Sequence, residues 1–402
     1  MGYNIKWIIF LRGKEGLCAM EQTKKEIRIG LLGFGSMGRT HTWAVRNLPF
    51  FYGDLPFSAA TVGVCTTSLD KSRRVASEFG IPLAVADEDA LIFDPTIDVI
   101  DVCTPNNCHF STVKKALSAG KHVLCEKPLC ITASEADELE ALARSSDRVC
   151  GMVFHNRFLA PVMRARQLVL EGRIGRVLHF HASYLHDSCI DPDRRVGWKQ
   201  DRTVCGGGVL FDLGSHVIDL MTHLVGRFTR VSGRSQIAYD THLDAEGNPW
   251  RTNADEAFYL HAVTEGGAHG TVEVSKISLG SSDGLSFEIY GERGALNFSL
   301  MEPNWLFFYD SSAPNRPIGG DRGFTRIECV GRYPNMIFPS PKAPAGWLYG
   351  HLESMKSYLS AVAAEIPFSP SLSEGAYVQR VMDAAYRSDE NGGVEEEVRL
   401  CF

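Results

Sequence analysis

A lysine that leaves the end of an apolar strand and is followed at once by proline is placed to do chemistry. In His-Val-Leu-Cys-Glu-Lys-Pro-Leu, residues 122–129, the apolar run ends in Glu126-Lys127-Pro128. Proline cannot continue the hydrogen-bond ladder of a strand, so the chain turns there and Lys127 is free to project into the crevice beyond the strand end. Further along, Asp212 and His216 stand four apart in an apolar stretch, 209–224, that reads as a helix, hence on one face, with Asp219 and His223 one to two turns on. Gly206-Gly207-Gly208 precede them and read as bulk-free backbone that a ligand can approach closely. These types suit hydride chemistry on a carbinol. Histidine titrates near neutrality and can take the hydroxyl proton. Asp212 can hold the ring or a neighbouring substrate hydroxyl, and Lys127, kept cationic by Glu126 or lowered in pKa by burial, can polarise the developing oxyanion. Taken singly, each has a bland alternative: a solvated loop lysine, or an intrahelical pair on a wet surface.

Such chemistry needs a hydride carrier, and the sequence has a place for one. Gly33-Phe34-Gly35-Ser36-Met37-Gly38 lies between an apolar strand, 27–32, and a helical run, 39–48, that Pro49 is expected to end. Gly33 permits the tight turn, Gly35 lets the backbone touch a pyrophosphate, and Gly38 lets the helix lie close on the sheet, with its positive N-terminus facing the phosphates. The second strand, 59–65, ends without the acid that reads an NAD ribose: Thr66 stands there instead. Thr66 and Ser68, with Lys71, Arg73 and Arg74, either accommodate a 2′-phosphate or form an ordinary solvated helix face, so NAD and NADP are both open.

The elements that must position these residues alternate. Helix 68–79, an apolar run near Leu83, strand 97–103, helix 111–119, strand 122–125, helix 132–143 and strand 148–154 follow in turn. That order implies right-handed crossovers and a parallel sheet, whose strand ends carry Thr104-Pro105-Asn106, with His109 just beyond, and Glu126-Lys127-Pro128. Beyond residue 156 the reading is a helix to 170, a strand 176–184, and a polar irregular stretch, 185–205, carrying His186, Asp187, Trp198 and Lys199. A loop that long usually lines a site. β alternation follows at 257–263, 270–277, 286–290 and 295–298; 303–344, rich in Pro, Gly and aromatics, reads as an excursion over the sheet, and helices at 351–364 and 373–387 close the chain. His179 and His181 share a strand face; with no third ligand in sequence they read as a face packed on a partner subunit rather than a metal site.

The ordered set of Gly-Phe-Gly-Ser-Met-Gly, Cys103-Thr104-Pro105-Asn106 with His109, Ala-Gly-Lys-His-Val-Leu-Cys-Glu-Lys-Pro (119–128), Arg157-Phe158 ahead of Pro161, Glu-Gly-Arg-Ile-Gly-Arg-Val (171–177) and Gly-Gly-Gly-Val-Leu-Phe-Asp-Leu-Gly-Ser-His (206–216) resembles the Gfo/Idh/MocA family of NAD(P)-dependent sugar and inositol oxidoreductases. The resemblance runs through residues 26–390. It implies an α/β fold: an N-terminal Rossmann doubly wound parallel sheet plus a C-terminal α/β domain with a large, mostly antiparallel open sheet. The implied division is an extension, 1–25, a dinucleotide-binding domain, 26–150, and a substrate-binding and oligomerisation domain, 151–402, whose last helices can pack back on the first domain. It further implies His216 as acid/base, with Lys127 on the reacting oxygen and Asp212 beside them, and Thr104, Pro105, Asn106, His109 and Glu126 on the cofactor side; Asn156 and Arg157 are substrate-side candidates, and Trp198, in a loop the resemblance does not assign, is read from its aromatic face as a platform for a sugar ring. A homodimer or homotetramer through the C-terminal sheet is the matching assembly. Thr66 departs from the family pattern.

Composition narrows the alternatives. The chain has 402 residues, 44% hydrophobic and 22% charged, with a formal net charge of −7, which gives no electrostatic reason to expect nucleic acid or an anionic membrane as partner. No segment reads as the roughly 20 apolar residues of a membrane span, and residues 7–11 are too short for a signal-peptide core, so a cytoplasmic location is expected. Residues 1–19, ahead of Met20, read as an extension or an upstream start. The eleven cysteines are odd in number and contain no Cys-x-x-Cys, against a zinc cage or a disulfide framework. Three functions remain: a dehydrogenase of a sugar, cyclitol or glycoside ring; a glycoside-cleaving enzyme that oxidises transiently with bound NAD(H); and a cofactor sensor without turnover.

Overall fold

The structure is a computed structural model describing residues 24–191 and 193–400; the expected 1–19 extension lies outside the described residues. The first half alternates without interruption: β1 (Lys25–Leu32), α1 (Ser36–Phe51), β2 (Phe57–Cys65), α2 (Leu69–Phe79), β3 (Leu83–Val85), α3 (Asp89–Ile92), β4 (Val99–Val102), α4 (Asn106–Ser118), β5 (His122–Cys125), α5 (Ala133–Arg144) and β6 (Cys150–Met152). All strands pair in parallel in the order β3-β2-β1-β4-β5-β6. Strand order reverses between β1 and β4, and the crevice of such a sheet opens there, beyond the carboxyl ends. β4 and β5 are buried at every position, as strands covered by helices on both faces must be.

Two helix boundaries differ from the sequence reading. α1 starts at Ser36, inside the glycine motif, and runs through Pro49 to Phe51. Proline removes one backbone donor, and burial of Leu48 and Phe51 holds the last turn in place. α4 starts at Asn106, directly after Pro105, five residues before the expected start, which places Asn106 and His109 in its first turns.

The second half is built on α6 (Ala160–Leu170), β7 (Val177–Leu185), a short α7 (Arg202–Cys205) and α8 (Ser215–Val225). The remaining strands are β8 (Phe228–Gln236), a ribbon of β9 (Thr241–Leu243) and β10 (Pro249–Arg251), β11 (Ala257–Thr264), β12 (His269–Ser275), β13 (Gly284–Gly291), β14 (Gly294–Ser299), β15 (Trp305–Asp310), β16 (Phe324–Glu328) and β17 (Glu396–Glu397). The large sheet has nine strands in the order β16-β15-β14-β13-β7-β12-β11-β8-β17, antiparallel except for β7 with β12. β15 and β16 fall inside the stretch expected as an excursion. Trp305 to Tyr309 alternates in burial and pairs with β14, so the aromatic content there belongs to the sheet.

A single helix expected over 209–224 is instead a π-helical turn, Leu210–Gly214, running into α8. The expected 157–170 helix opens with a 3-10 turn, His155–Phe158, because Pro161 suits the first turn of α6. An 18-residue window within Arg202–Val225 reaches a mean hydropathy of 1.3, enough by length and composition to cross a membrane, but 83% of that window is buried inside the protein, so core packing accounts for its apolar character. α9 (Trp347–Ala364) packs on α1, and α10 (Leu372–Glu390) packs on α5, α8 and β8, so the C-terminal helices tie both sheets together.

Candidate active site

The carboxyl ends of the parallel strands open into a cleft of about 820 Å³ that runs from Gly33–Met37 past Thr66, Thr67 and Lys71 to Asp87 and Glu88 at one end, and to Lys127, Trp198, Lys199 and Asp212 at the other. The glycine turn is built for a close ligand. Gly33 has φ +88°, and a Cβ on it would lie 2.3 Å from the Cys103 carbonyl oxygen; on Gly38 it would lie 2.5 Å from the Gly33 carbonyl. Gly35 is different: a Cβ there would meet nothing within 4 Å, so its backbone faces open space at the N-terminus of α1. These residues fit a dinucleotide pyrophosphate, drawn to the unpaired N–H groups and positive end of α1. Thr104, Pro105, Asn106 and Glu126 line the same cleft.

Lys127 does project from the end of β5 into this cleft. Its Nζ donates to the Asp212 backbone oxygen at 2.7 Å and to Asp212 Oδ1 at 2.9 Å. Asp212 is shared: Lys199 Nζ lies 2.8 Å from Oδ1 and Lys276 Nζ 3.0 Å from Oδ2. Burial works against ionisation of Asp212, but Lys127, then Lys276 and Lys199, hold its carboxyl well below the usual range. Lys127 titrates below its ordinary value, because burial outweighs the attraction of Asp212 and Lys199 adds repulsion. Lys276 is opposed by burial yet pushed up, chiefly by Asp212. The sequence reading missed Lys276, although the signal that exposed Lys127 is there too: Lys276 follows directly on the end of β12.

His216 sits at 6% exposure behind Asp212, edge-on to His155 at 5.2 Å and near Tyr184 and Phe154. It does not pair with Asp212, as the four-residue spacing led one to expect. The carboxylate, carried on the π turn, is taken by lysines; His216 Nδ1 has no partner among the described residues, and the ring, like His109 and Asn156, stands outside the cleft lining. Burial first and the Lys127 charge second push His216 well below its usual value, so the ring is neutral. His155 stacks on His351 at 3.7 Å, and both are likewise kept neutral by burial. Beneath the cleft His41 Nδ1 bonds Asp101 at 2.9 Å, and its Nε2 lies 3.1 Å from Glu126 Oε1, an ion-pair distance without hydrogen-bond alignment.

Several assignments need correction. His109 does not line the cleft: it is fully buried, with Nδ1 2.8 Å from the Pro128 oxygen and Nε2 2.9 Å from the Thr104 oxygen, and so braces the two motif loops against each other. Arg157 cannot contact a substrate, because its guanidinium is spent on Asp219 at 2.5 Å, Glu374 at 2.6 Å and Ser369. Asn156 is buried with neither amide atom partnered, and it stands outside the cleft lining. The glycine triplet packs on protein, not ligand. A Cβ on Gly208 would lie 2.2 Å from the Asp255 oxygen, and the amides of Gly208 and Leu210 donate to the Asp255 carboxylate. The Thr66 hydroxyl is spent on Ser68 and Ser72; Lys71 lines the cleft, whereas Arg73 and Arg74 do not. Trp198 lines the cleft mouth at 40% exposure. His179 stacks on Tyr290 at 4.6 Å and His181 bonds Thr271, both on the sheet face.

Comparison with known proteins agrees with this geometry. Residues 27–154 match the oxidoreductase family with an NAD-binding Rossmann fold, and residues 162–297 match the GFO/IDH/MocA C-terminal domain. The chain is 28% identical over 381 residues, 90% of this chain and 96% of the other, to levoglucosan dehydrogenase of Pseudarthrobacter phenanthrenivorans. It is 31% identical over 277 residues, 67% of this chain and 70% of the other, to the uncharacterized oxidoreductase YdgJ of Escherichia coli. The solved levoglucosan dehydrogenase in complex with NADH superposes with a TM-score of 0.89 at 27% identity, covering 94% of this chain and all of that one. The glycine turn, the strand-end lysine and the large sheet behind it thus sit in a chain whose two halves both match one family: it belongs to the Gfo/Idh/MocA family of NAD-binding oxidoreductases.

Proposed function

We propose that this oxidoreductase acts on a ring carbinol or ketone of a sugar, cyclitol or glycoside, with Lys127, Asp212 and His216 as its catalytic residues. The observation that carries the reading is the Lys127 ammonium, held on Asp212 at the point where the cofactor cleft meets the second domain. NAD, seated along the glycine turn, supplies the hydride-accepting nicotinamide. The residues do the rest. Lys127 uses two of its three donors on Asp212, leaving one for the reacting oxygen, where it stabilises negative charge as the hydroxyl ionises. Neutral His216, whose lone pair no donor among the described residues occupies, takes that proton, and in the reverse direction returns it. Asp212 fixes the position of Lys127. Trp198 offers an apolar face for a sugar ring at the cleft mouth.

Levoglucosan dehydrogenase has been solved with levoglucosan and with L-sorbose, which supports a sugar here. For the cofactor, the NAD-binding family match and the NADH-bound relative support NAD; at the Thr66 end of the cleft Asp87 and Glu88 face Lys71 and Lys115, and Lys115 is paired with Glu88 at 3.1 Å. The exposed sheet face, with Leu178 and Tyr259 outward, supports pairing with a second copy, which sedimentation would test. A screen of polyols and glycosides with both cofactors decides the main claim. Net formation of NADH, with no glycosidic cleavage, is expected; cleavage with the cofactor unconsumed would replace the dehydrogenase by the redox-neutral reaction.

A further inference from the structure

At the substrate end of the cleft three ammonium groups meet one carboxylate: Lys127, Lys199 and Lys276 on Asp212. The surplus of cation runs against a chain whose net charge is −7. Neighbouring acids offset it only in part: Glu126 favours the Lys127 cation and Asp255 the Lys276 cation, but neither pairs with them directly. Glu126 faces His41, Asp255 is engaged by backbone amides and the Tyr386 hydroxyl, and Asp283 accepts from Tyr184 at 2.6 Å and pairs with His186. The cation left over is Lys199, which stands half in water with donors to spare at the cleft mouth, where an incoming anion can supply the opposite charge. The cofactor's pyrophosphate is not that group, since it belongs at the glycine turn and the N-terminus of α1. Lys199 is the exposed member of the set: its side chain is 47% accessible, it lines the cleft, and its Nζ lies 5.7 Å from the centre of the Trp198 ring. Only one of its three donors is used, on Asp212.

We infer that the substrate is an anionic sugar, whose carboxylate or phosphate is bound by Lys199 at the cleft mouth while its reacting hydroxyl meets Lys127. The inference deepens the proposed function and rests on it. Apolar stacking on Trp198 orients the ring, the surplus charge selects the acid, and Lys276, fully enclosed, keeps Asp212 ionised so that neither of the other lysines loses its anchor.

The test compares methyl glucoside, glucuronate and glucose 6-phosphate, with NAD, by kcat/KM at low and high salt, and by binding to the enzyme–NADH complex read from nicotinamide fluorescence. One anion should exceed the neutral glycoside by about tenfold in both readouts at low salt, as one partly screened charge contact at the cleft mouth allows. The gap should shrink at high salt. In Lys199→Met, a change at a half-exposed turn that leaves the melting temperature in place, the ratio should collapse. The carboxylate and phosphate arms identify which anion is read. Equal or better use of the neutral sugar, or a Lys199→Met effect of the same size on charged and neutral ligands, overturns the inference. If no sugar is turned over, the hydride-transfer reading fails by itself, and the binding ratio still decides the charge preference.

Discussion

Two buried ionic clusters lie within two turns of each other on the same stretch of chain, and they are built in opposite ways. Around Asp219, one guanidinium faces two carboxylates: Arg157 reaches Asp219 with two nitrogens and Glu374 with a third contact, and Ser369 takes a further donor. Every strong donor has an acceptor, and Arg157 and Asp219 are shut off from the cleft. Around Asp212, one carboxylate faces three ammoniums, and two of those line open space. A closed cluster whose hydrogen bonds are satisfied resists change, even though burial pushes the Asp219 carboxyl up to about 6. An open cluster with donors to spare is a site waiting for a ligand. The sequence reading assigned Asp212 and His216 catalytic roles and left Asp219 and His223 without one, but nothing in it foretold either ionic cluster.

The largest expected effect separates the two clusters by stability. Arg157→Met should destabilise the protein by about 3–5 kcal/mol, because Asp219 is left buried without its partner. Urea unfolding measures it, and a loss below about 1 kcal/mol would mean that the Asp219 cluster is not structural. Lys127→Ala should reduce kcat by about 10²- to 10³-fold, as loss of an oxyanion donor does, while the melting temperature and NAD affinity stay close to wild type, since Asp212 retains Lys199 and Lys276. Unchanged turnover would remove Lys127 from the chemistry and erase the contrast.

The buried histidines behind Asp212 sharpen the comparison through pH. His155, His216 and His351 all titrate below their usual value, chiefly because of burial. Folded-state values below the unfolded value of about 6.5 mean that the unfolded chain binds protons first as pH falls, so stability is complete above that value and declines beneath it. His41, opposed by burial but raised by Asp101, acts in the other direction, stabilising below that value and losing the contribution as pH rises through its folded value. With His109, His122, His223 and His261 also depressed by burial, seven lowered rings against one raised ring predict a stability that falls from about pH 6.5 downward, by up to about 1.4 kcal/mol per pH unit for each net proton, read as a falling melting temperature. Replacing His155 and His351 by phenylalanine should flatten that limb; an unchanged limb would place its origin elsewhere. The smallest effect lies at the far end of the cleft. Thr66→Asp should weaken NADP relative to NAD by a few-fold through repulsion of the 2′-phosphate, read from the ratio of KM values.

Much of this was legible in the chain. The strand, glycine turn and helix at Gly33–Gly38, the parallel order that follows, and the strand-end position of Lys127 all come from local pattern, because periodicity and turn chemistry act over a few residues. His109 and Arg157 were misread for the converse reason. A family motif marks a residue as kept in place, and bracing two loops or closing an ion cluster keeps a residue in place as firmly as touching a ligand does. The glycine triplet is a third case: its lack of side chains admits Asp255 and Tyr386, which arrive from distant sequence.

What the sequence determined by itself is the fold of the dinucleotide half and the crevice at which chemistry must occur, since alternating strands and helices of these lengths admit little else. What only the tertiary structure decided is the charge state of that crevice. Lys127, Lys199, Asp212 and Lys276 come from four separate segments, and each alone would be an ordinary solvated residue. With the three ammoniums within 3.0 Å of the Asp212 carboxylate, and all but Lys199 largely removed from water, they perturb one another because Coulomb energy depends on distance and dielectric, neither of which the order of residues records.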